Sequence, residues 1–272
     1  MKPSNLLNWL KHLIFTRGVH VSYTQMLRMY HYHRTPFEII LQNIFNILEK
    51  YEAKFTFSIV ASIAKQELIE TIMNSGHEIA SHSLYHVKHK GLSFETQFHY
   101  ISKSLELLSN YGANIQGFRA PYNSYDNNTF RCLNKVNVTY DAGVRRGESY
   151  RKILQPFHLM IDDVESSFVS FPVFNISDES LDELPKQIVL KSFIEHINNL
   201  PENGLSVLQL HPIRIGQKKY LQFLDKLVSH ITTRGFEMPT LTEVVNKKCT
   251  LPAICLTGDI DCLSFYDYLK RI

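Results

Sequence analysis

The sequence predicts an α/β fold, a parallel sheet rolled into a closed or nearly closed barrel and wrapped by helices. Three observations carry this. Short apolar, β-rich runs alternate with segments of helical periodicity at least six times, an order that calls for parallel strands joined by right-handed crossovers. No low-complexity linker or repeat divides the 272 residues, so residues 1–272 read as one domain with a helical extension over residues 1–35. The apolar runs also end in polar groups, His82, His86, Arg119, Asp141 and His211. Parallel barrels collect their chemistry at such strand ends.

The elements follow in order. In "MKPSNLLNWLKHLIFTRG", Leu6, Leu7, Trp9, Leu10, Leu13, Ile14 and Phe15 suit an amphipathic helix. It would dock on the protein's own core or rest on a membrane surface. No small-residue cleavage site follows it, so no signal peptide is expected. "GVHVSYTQM" is strand-like. "PFEIILQNIFNILEKYEA" is a helix and "KFTFSIVAS" a buried strand; "KQELIETIMNSG" is a helix stopped by Gly76, and "HEIASHS" a strand. "SFETQFHYISKSLELLSNYG" and "IQGFRAP", then "DNNTFRCLNKVN" and "VTYDAG", repeat the pair. "SSFVSFPVF" and "LSVLQLHP" read as strands, with "LKSFIEHINNLPENG" and "KKYLQFLDKLVSHITTRG" as helices. Asp162 and Asp163 in "MIDDVES" read as a loop.

Composition narrows the function classes. With 44% hydrophobic and 20% charged residues the chain is an ordinary globular protein, and disorder is disfavoured. The net charge of +3 is dispersed, which leaves no nucleic-acid footprint. No run reaches the roughly 18 apolar residues of a transmembrane helix. The four cysteines lack CxxC spacing, pointing to a reducing, cytoplasmic setting. The sequence sets no oligomeric state.

His82 and His86 stand four apart just past an apolar run. If the chain turns helically there, both imidazoles face one side and suit a shared divalent metal. Ser83 occupies the place of the glutamate in HExxH, so a zincin protease is disfavoured. Taken singly, Arg119 also reads as a surface ion-pair residue, Asp141 as a helix cap and His211 as a strand-end histidine.

The segments "KFTFSIVA", "GHEIASHSLYH", "GFRAPYNSYDNNTFRCLNK", "VTYDAG" and "VLQLHP", in that order, resemble the successive motifs of the polysaccharide deacetylase family, the NodB-homology carbohydrate esterases. The resemblance spans roughly residues 38–245. It implies a distorted (β/α) barrel and a metal-dependent hydrolase that removes N-acetyl or O-acetyl groups from sugars. It further implies His82 and His86 as metal ligands, Arg119 as the group that orients the acidic base, and Tyr122 as the backbone N–H donor to the oxyanion. Asp141 would poise His211, and His211 would be the general acid. The family's first, acidic motif is missing near the N-terminus, where "GVHVSYTQM" offers no carboxylate; His31 and His33 would be substitute ligands there.

The tail supplies a replacement. "AICLTGDID" is an apolar run followed by Thr and Asp-x-Asp, similar to the family's acidic motif with Gly258 in place of its aromatic residue. The expectation is a circular permutation in which residues 252–272 provide the first family strand, with Asp259 as general base and Asp261 as third metal ligand. The alternative is a solvated acidic turn at Gly258–Asp259. One divalent metal is implied, Zn²⁺ by ligand type, with Co²⁺, Ni²⁺ or Mn²⁺ as alternatives. The partner is an acetylated sugar. Two other functions stay open: a non-catalytic sugar-binding relative, and an allantoinase-like amide hydrolase on the same barrel.

Overall fold

The computed structural model describes residues 19–143, 155–171 and 173–270. The amphipathic segment over residues 6–15 lies outside them. Eight strands form one sheet in the order β5-β6-β4-β3-β2-β1-β8-β7. In chain order they are β1 (Phe55–Ile59), β2 (Glu78–Ser81), β3 (Gly117–Phe118), β4 (Tyr140–Asp141), β5 (Phe157–Ile161), β6 (Val164–Ser170), β7 (Leu205–Leu210) and β8 (Ala253–Ile260). All pairings are parallel except β5 with β6, an antiparallel hairpin turned by Asp162 and Asp163, both at positive φ. The sequence reading had the Asp162–Asp163 turn but not strand β5.

The sheet curls almost into a ring. Phe174 N–H donates to the Val207 carbonyl at 2.8 Å, and Val173 bridges Val207 of β7, so the chain leaving β6 reaches the far edge of the sheet. Strands β1, β7 and β8 are buried throughout. The tail is therefore the opposite of a frayed end: β8 lies between β1 and β7, the neighbours a central parallel strand needs.

Helices cover the sheet where their apolar stripes demand it. They are α1 (Val19–Tyr32), α2 (Phe37–Lys50), α3 (Gln66–Asn74), α4 (Phe94–Asn110), α5 (Asn127–Val136), α6 (Lys186–Asn198), α7 (Pro212–Ile215), α8 (Leu221–Thr233), α9 (Leu241–Val245) and α10 (Phe265–Lys270). Helix α2 buries Ile40, Leu41, Ile44 and Leu48, an i, i+4, i+8 pattern with Leu41 beside it. Helix α3 ends as expected at Gly76, whose φ of +77° is the left-handed stop that glycine adopts without strain. Ser93 caps α4, and Asp126 with Thr129 forms a capping box on α5. Residues 19–26 of the strand-like "GVHVSYTQM" are instead part of α1: Met26 and Met29 pack on Cys262 and Tyr268, and this tertiary contact outweighs β-branched propensity. No helix among the described residues is long and apolar enough to cross a membrane.

Candidate active site

Strand β8 brings two polar side chains into the barrel. Register pairs Thr257 with Gln209 of β7 and Asp259 with Ser58 of β1, so these residues share the inward face near the carboxyl ends of their strands. Gly258, between them, points the other way: a Cβ there would meet the Leu210 carbonyl at 2.5 Å and the Phe55 ring at 2.9 Å. The aromatic place of the acidic motif is thus taken by Phe55.

Arg119, directly after β3, is fully buried and uses each face of its guanidinium. Nε donates to the Ala142 carbonyl (2.6 Å), Nη1 to Asp259 Oδ1 (2.7 Å) and Nη2 to Thr257 Oγ1 (2.7 Å). Gln209 Nε2 donates to the other oxygen of Asp259 at 2.7 Å. Burial works against the Asp259 anion, but the Arg119 charge, with that of His211, overrides it and holds the carboxyl well below the usual carboxylate range. The solvated-turn alternative for Asp259 is excluded by this burial, 5% exposure.

His82, at the end of β2, is buried, and its Nδ1–H donates to the Arg119 carbonyl at 2.9 Å. That bond fixes the tautomer and leaves Nε2 as a lone pair, buried with no hydrogen-bond partner. Burial lowers the His82 pKa, against the pull of Asp259 and Asp261, so the ring stays neutral. The turn to His86 is irregular rather than helical, with Ser83 at φ +69°, yet the two rings still approach to 5.2 Å between centroids. His86 Nε2 lies 3.7 Å from Asp261 Oδ2. Tyr122, at φ +59°, packs its ring edge-on against His86 at 4.3 Å.

Among the described residues no three His, Cys, Asp or Glu side chains are gathered into a closed metal cluster. Two of the expected donors do stand close together: two ligands about 2 Å from one ion at tetrahedral angles are roughly 3.3 Å apart, and His86 Nε2 lies 3.7 Å from Asp261 Oδ2. An unpartnered, neutral imidazole nitrogen at His82 is the ligand form histidine requires. Of the substitute ligands, His31 is exposed, and His33 bonds Cys262 Sγ through Nε2 at 3.3 Å.

The acid side corrects one expectation. Asp141 does not touch His211; its Oδ1 accepts from Tyr125 Oη at 2.6 Å, and burial pushes its pKa up to about 7. The partner of His211 is Asp178, in the 3₁₀ turn Asp178–Asp182: Nδ1 donates to Oδ1 at 2.7 Å and the His211 backbone N–H to Oδ2 at 3.0 Å. Burial disfavours the imidazolium, but the Asp178 charge outweighs it and raises the His211 pKa to about 9. Arg214 holds both Asp178 and Asp182, at 3.2 and 2.7 Å. Nothing in "NISDESLDELP" announces Asp178, because the pairing spans a loop of no fixed spacing. Gln209 and Thr257 did leave a signal, each a lone polar residue within an apolar run.

The sheet is thus a half-closed (β/α) barrel with a polar mouth at the carboxyl ends of its strands. Residues 35–141 match the family model for polysaccharide deacetylase. His211 and β8 lie beyond the match. Among solved structures, an acetyl xylan esterase of family 4 from Clostridium thermocellum, in complex with a cobalt ion, is 18% identical with a TM-score of 0.56, covering 80% of this chain and 95% of its own. The PuuE allantoinase is 13% identical with a TM-score of 0.67, covering 82% and 75%. A CE4 family pseudoenzyme from Bacillus anthracis is 13% identical with a TM-score of 0.55, covering 83% and 66%. At these identities the likeness is one of fold. No curated protein matches the chain.

Proposed function

We propose that the protein removes acetyl groups from N-acetylated or O-acetylated sugars of a poly- or oligosaccharide or a glycolipid, and that it does so with a divalent metal. The observation that carries this reading is a buried carboxylate, Asp259, locked as an anion by Arg119 and Gln209, at the same barrel mouth as the unpartnered Nε2 of His82. His82, His86 and Asp261 would hold the ion, Zn²⁺ by ligand type, with Co²⁺, Ni²⁺ or Mn²⁺ as alternatives. Bound there, it would supply Lewis-acid polarisation of the acetyl carbonyl and acidification of water.

The chain's own groups do the rest. Asp259 takes the proton of the attacking water; a carboxylate held this firmly ionised is a weak base, so it suits a water that is already acidic. The Tyr122 backbone N–H donates to the developing oxyanion. His211, with Nδ1–H given to Asp178, keeps an Nε2 proton at neutral pH and hands it to the departing nitrogen or oxygen. Arg119 orients Asp259, while Asp141, through Tyr125, braces the Ala120 N–H at the start of the Tyr122 turn. We read β8 as the family's first strand moved to the C-terminus, which its place between β1 and β7 supports. The cysteines Cys132, Cys249, Cys255 and Cys262, each a thiol rather than half of a disulfide, favour a cytoplasmic step.

The test is acetate release from N-acetylated chito-oligosaccharides and acetylated xylan, with Zn²⁺ or Co²⁺ supplied. Asp259→Asn is expected to lower turnover by about 10²–10⁴-fold while metal uptake persists. Turnover of cyclic ureides alone would replace this reading with an allantoinase-like one, and sugar binding without hydrolysis would leave a lectin-like relative.

A further inference from the structure

Helix α1 precedes the family-matched residues, yet it reaches both sides of the site. On one side His33, just past its end, bonds Cys262 Sγ at 3.3 Å, and Cys262 lies 3.5 Å from Asp261 Oδ1, the oxygen opposite the one that approaches His86. Cys262 is buried at 1% exposure, so this chain of contacts is part of the packed interior. On the other side Arg28 Nη1 and Tyr32 Oη donate to the two oxygens of Asp182 at 2.6 and 2.7 Å. Asp182 shares Arg214 with Asp178, and Asp178 holds His211.

We propose that α1 is a two-sided brace: His33, through Cys262, positions the Asp261 carboxylate, and Arg28 with Tyr32, through Asp182 and Arg214, positions Asp178 against His211. None of these α1 side chains touches a reacting atom; they are positioning residues, and their roles in catalysis rest on the deacetylase reading above. The physical case is that the site end of each contact chain lies outside the regular strands. Asp261 follows the last residue of β8, and Asp178 sits in a 3₁₀ turn rather than a strand. A carboxylate in such a place keeps one orientation only when its other oxygen is held, which is how outer contacts tune metal ligands. The charged groups facing His211 are Asp178, Glu179 at 3.9 Å, Arg214 and Asp259. Of these, only the Asp178–Arg214 pair continues to α1.

Two measurements on the full chain, neither using turnover, decide it. Zn²⁺ alone is titrated against a chromophoric chelator. His33→Ala and Cys262→Ala are each expected to weaken Zn²⁺ binding by about 10–100-fold, and the double variant by no more than the stronger single one, because both break the same chain of contacts. Should His33→Ala fail to fold, Cys262→Ala, which removes a single sulfur, carries the same expectation. In the second, the His211 Nδ1 proton is followed by NMR as a downfield resonance, assigned by its loss in Asp178→Asn. It is expected to broaden away in Arg28→Ala and in Tyr32→Phe, the latter removing a single hydroxyl. Unchanged Zn²⁺ affinity, or a His211 resonance retained in both α1 variants, overturns the brace. A chain that binds Zn²⁺ but releases no acetate would instead sink the deacetylase reading and leave both expectations standing.

Discussion

Two polar clusters, one at each end of the barrel, are built differently. At the amino ends of the strands, Glu78 of β2 is saturated: Thr56 Oγ1 donates to Oε2 at 2.7 Å, Tyr140 Oη to Oε1 at 2.8 Å, and the Thr242 hydroxyl to Oε1 as well. At the carboxyl ends, His82 Nε2 and Asp141 Oδ2 are buried without a partner, and Asp259 is an anion held by a buried cation. Satisfied polar groups specify a fold, whereas buried unsatisfied ones demand a further reason. The difference assigns structure to the Glu78 cluster and chemistry to the Asp259 cluster; His77 Nδ1, beside Glu78, is an exception at the amino end.

The comparison can be broken most forcefully at Arg119. Arg119→Ala leaves Asp259 and Thr257 buried without their donor, and should cost about 3–5 kcal/mol in denaturant unfolding; adding Asp259→Asn should recover much of it. A loss confined to surface-mutation size would mean that the pair is hydrated. At the opposite end, Glu78→Gln turns one acceptor into a donor facing hydroxyls and should cost about 1–3 kcal/mol, with acetate release per folded molecule unchanged. A specific loss of turnover there would erase the division of labour.

The pH dependences are finer probes. His211 has a raised folded pKa, about 9 against an ordinary 6.5. Its contribution to stability is complete below about pH 6.5 and drains away as pH rises through 9. The alkaline limb of turnover should fall in the same range, and Asp178→Asn should move that limb to lower pH. The smallest effect belongs to Asp141, whose pKa of about 7 means that the folded state loses stability as pH climbs from the unfolded carboxylate range to neutrality. Asp141→Asn, which can still accept from Tyr125, should flatten the stability profile between about pH 4 and 7. A profile left unchanged would place the Asp141 titration elsewhere.

Much of this was legible in the residues. Strand and helix alternation placed β1 to β4, β7 and their helices, because each strand sits in a short, largely apolar run and the helices carry apolar stripes. Asp259 and Arg119 were also readable, one as an acid ending an apolar run and the other before a proline turn. The misses share a cause. Strand β5 alternates half-buried and exposed residues at a sheet edge, a weak pattern. The α1 segment has β-branched residues but is decided by contacts with α10. Asp178 meets His211 across 33 positions of chain, and a pairing made only by tertiary folding leaves no spacing to read.

The central claim is that the barrel mouth is built to grip one metal ion through the tail carboxylate. A crystal soaked in Co²⁺ and examined by anomalous scattering tests it most directly. The account predicts one ion about 2 Å from His82 Nε2, with His86 and Asp261 completing the protein ligands and Asp259 beside it but bound to Arg119. An ion that ignores His82, or full saturation of the crystal with no ion at the strand ends, would contradict it.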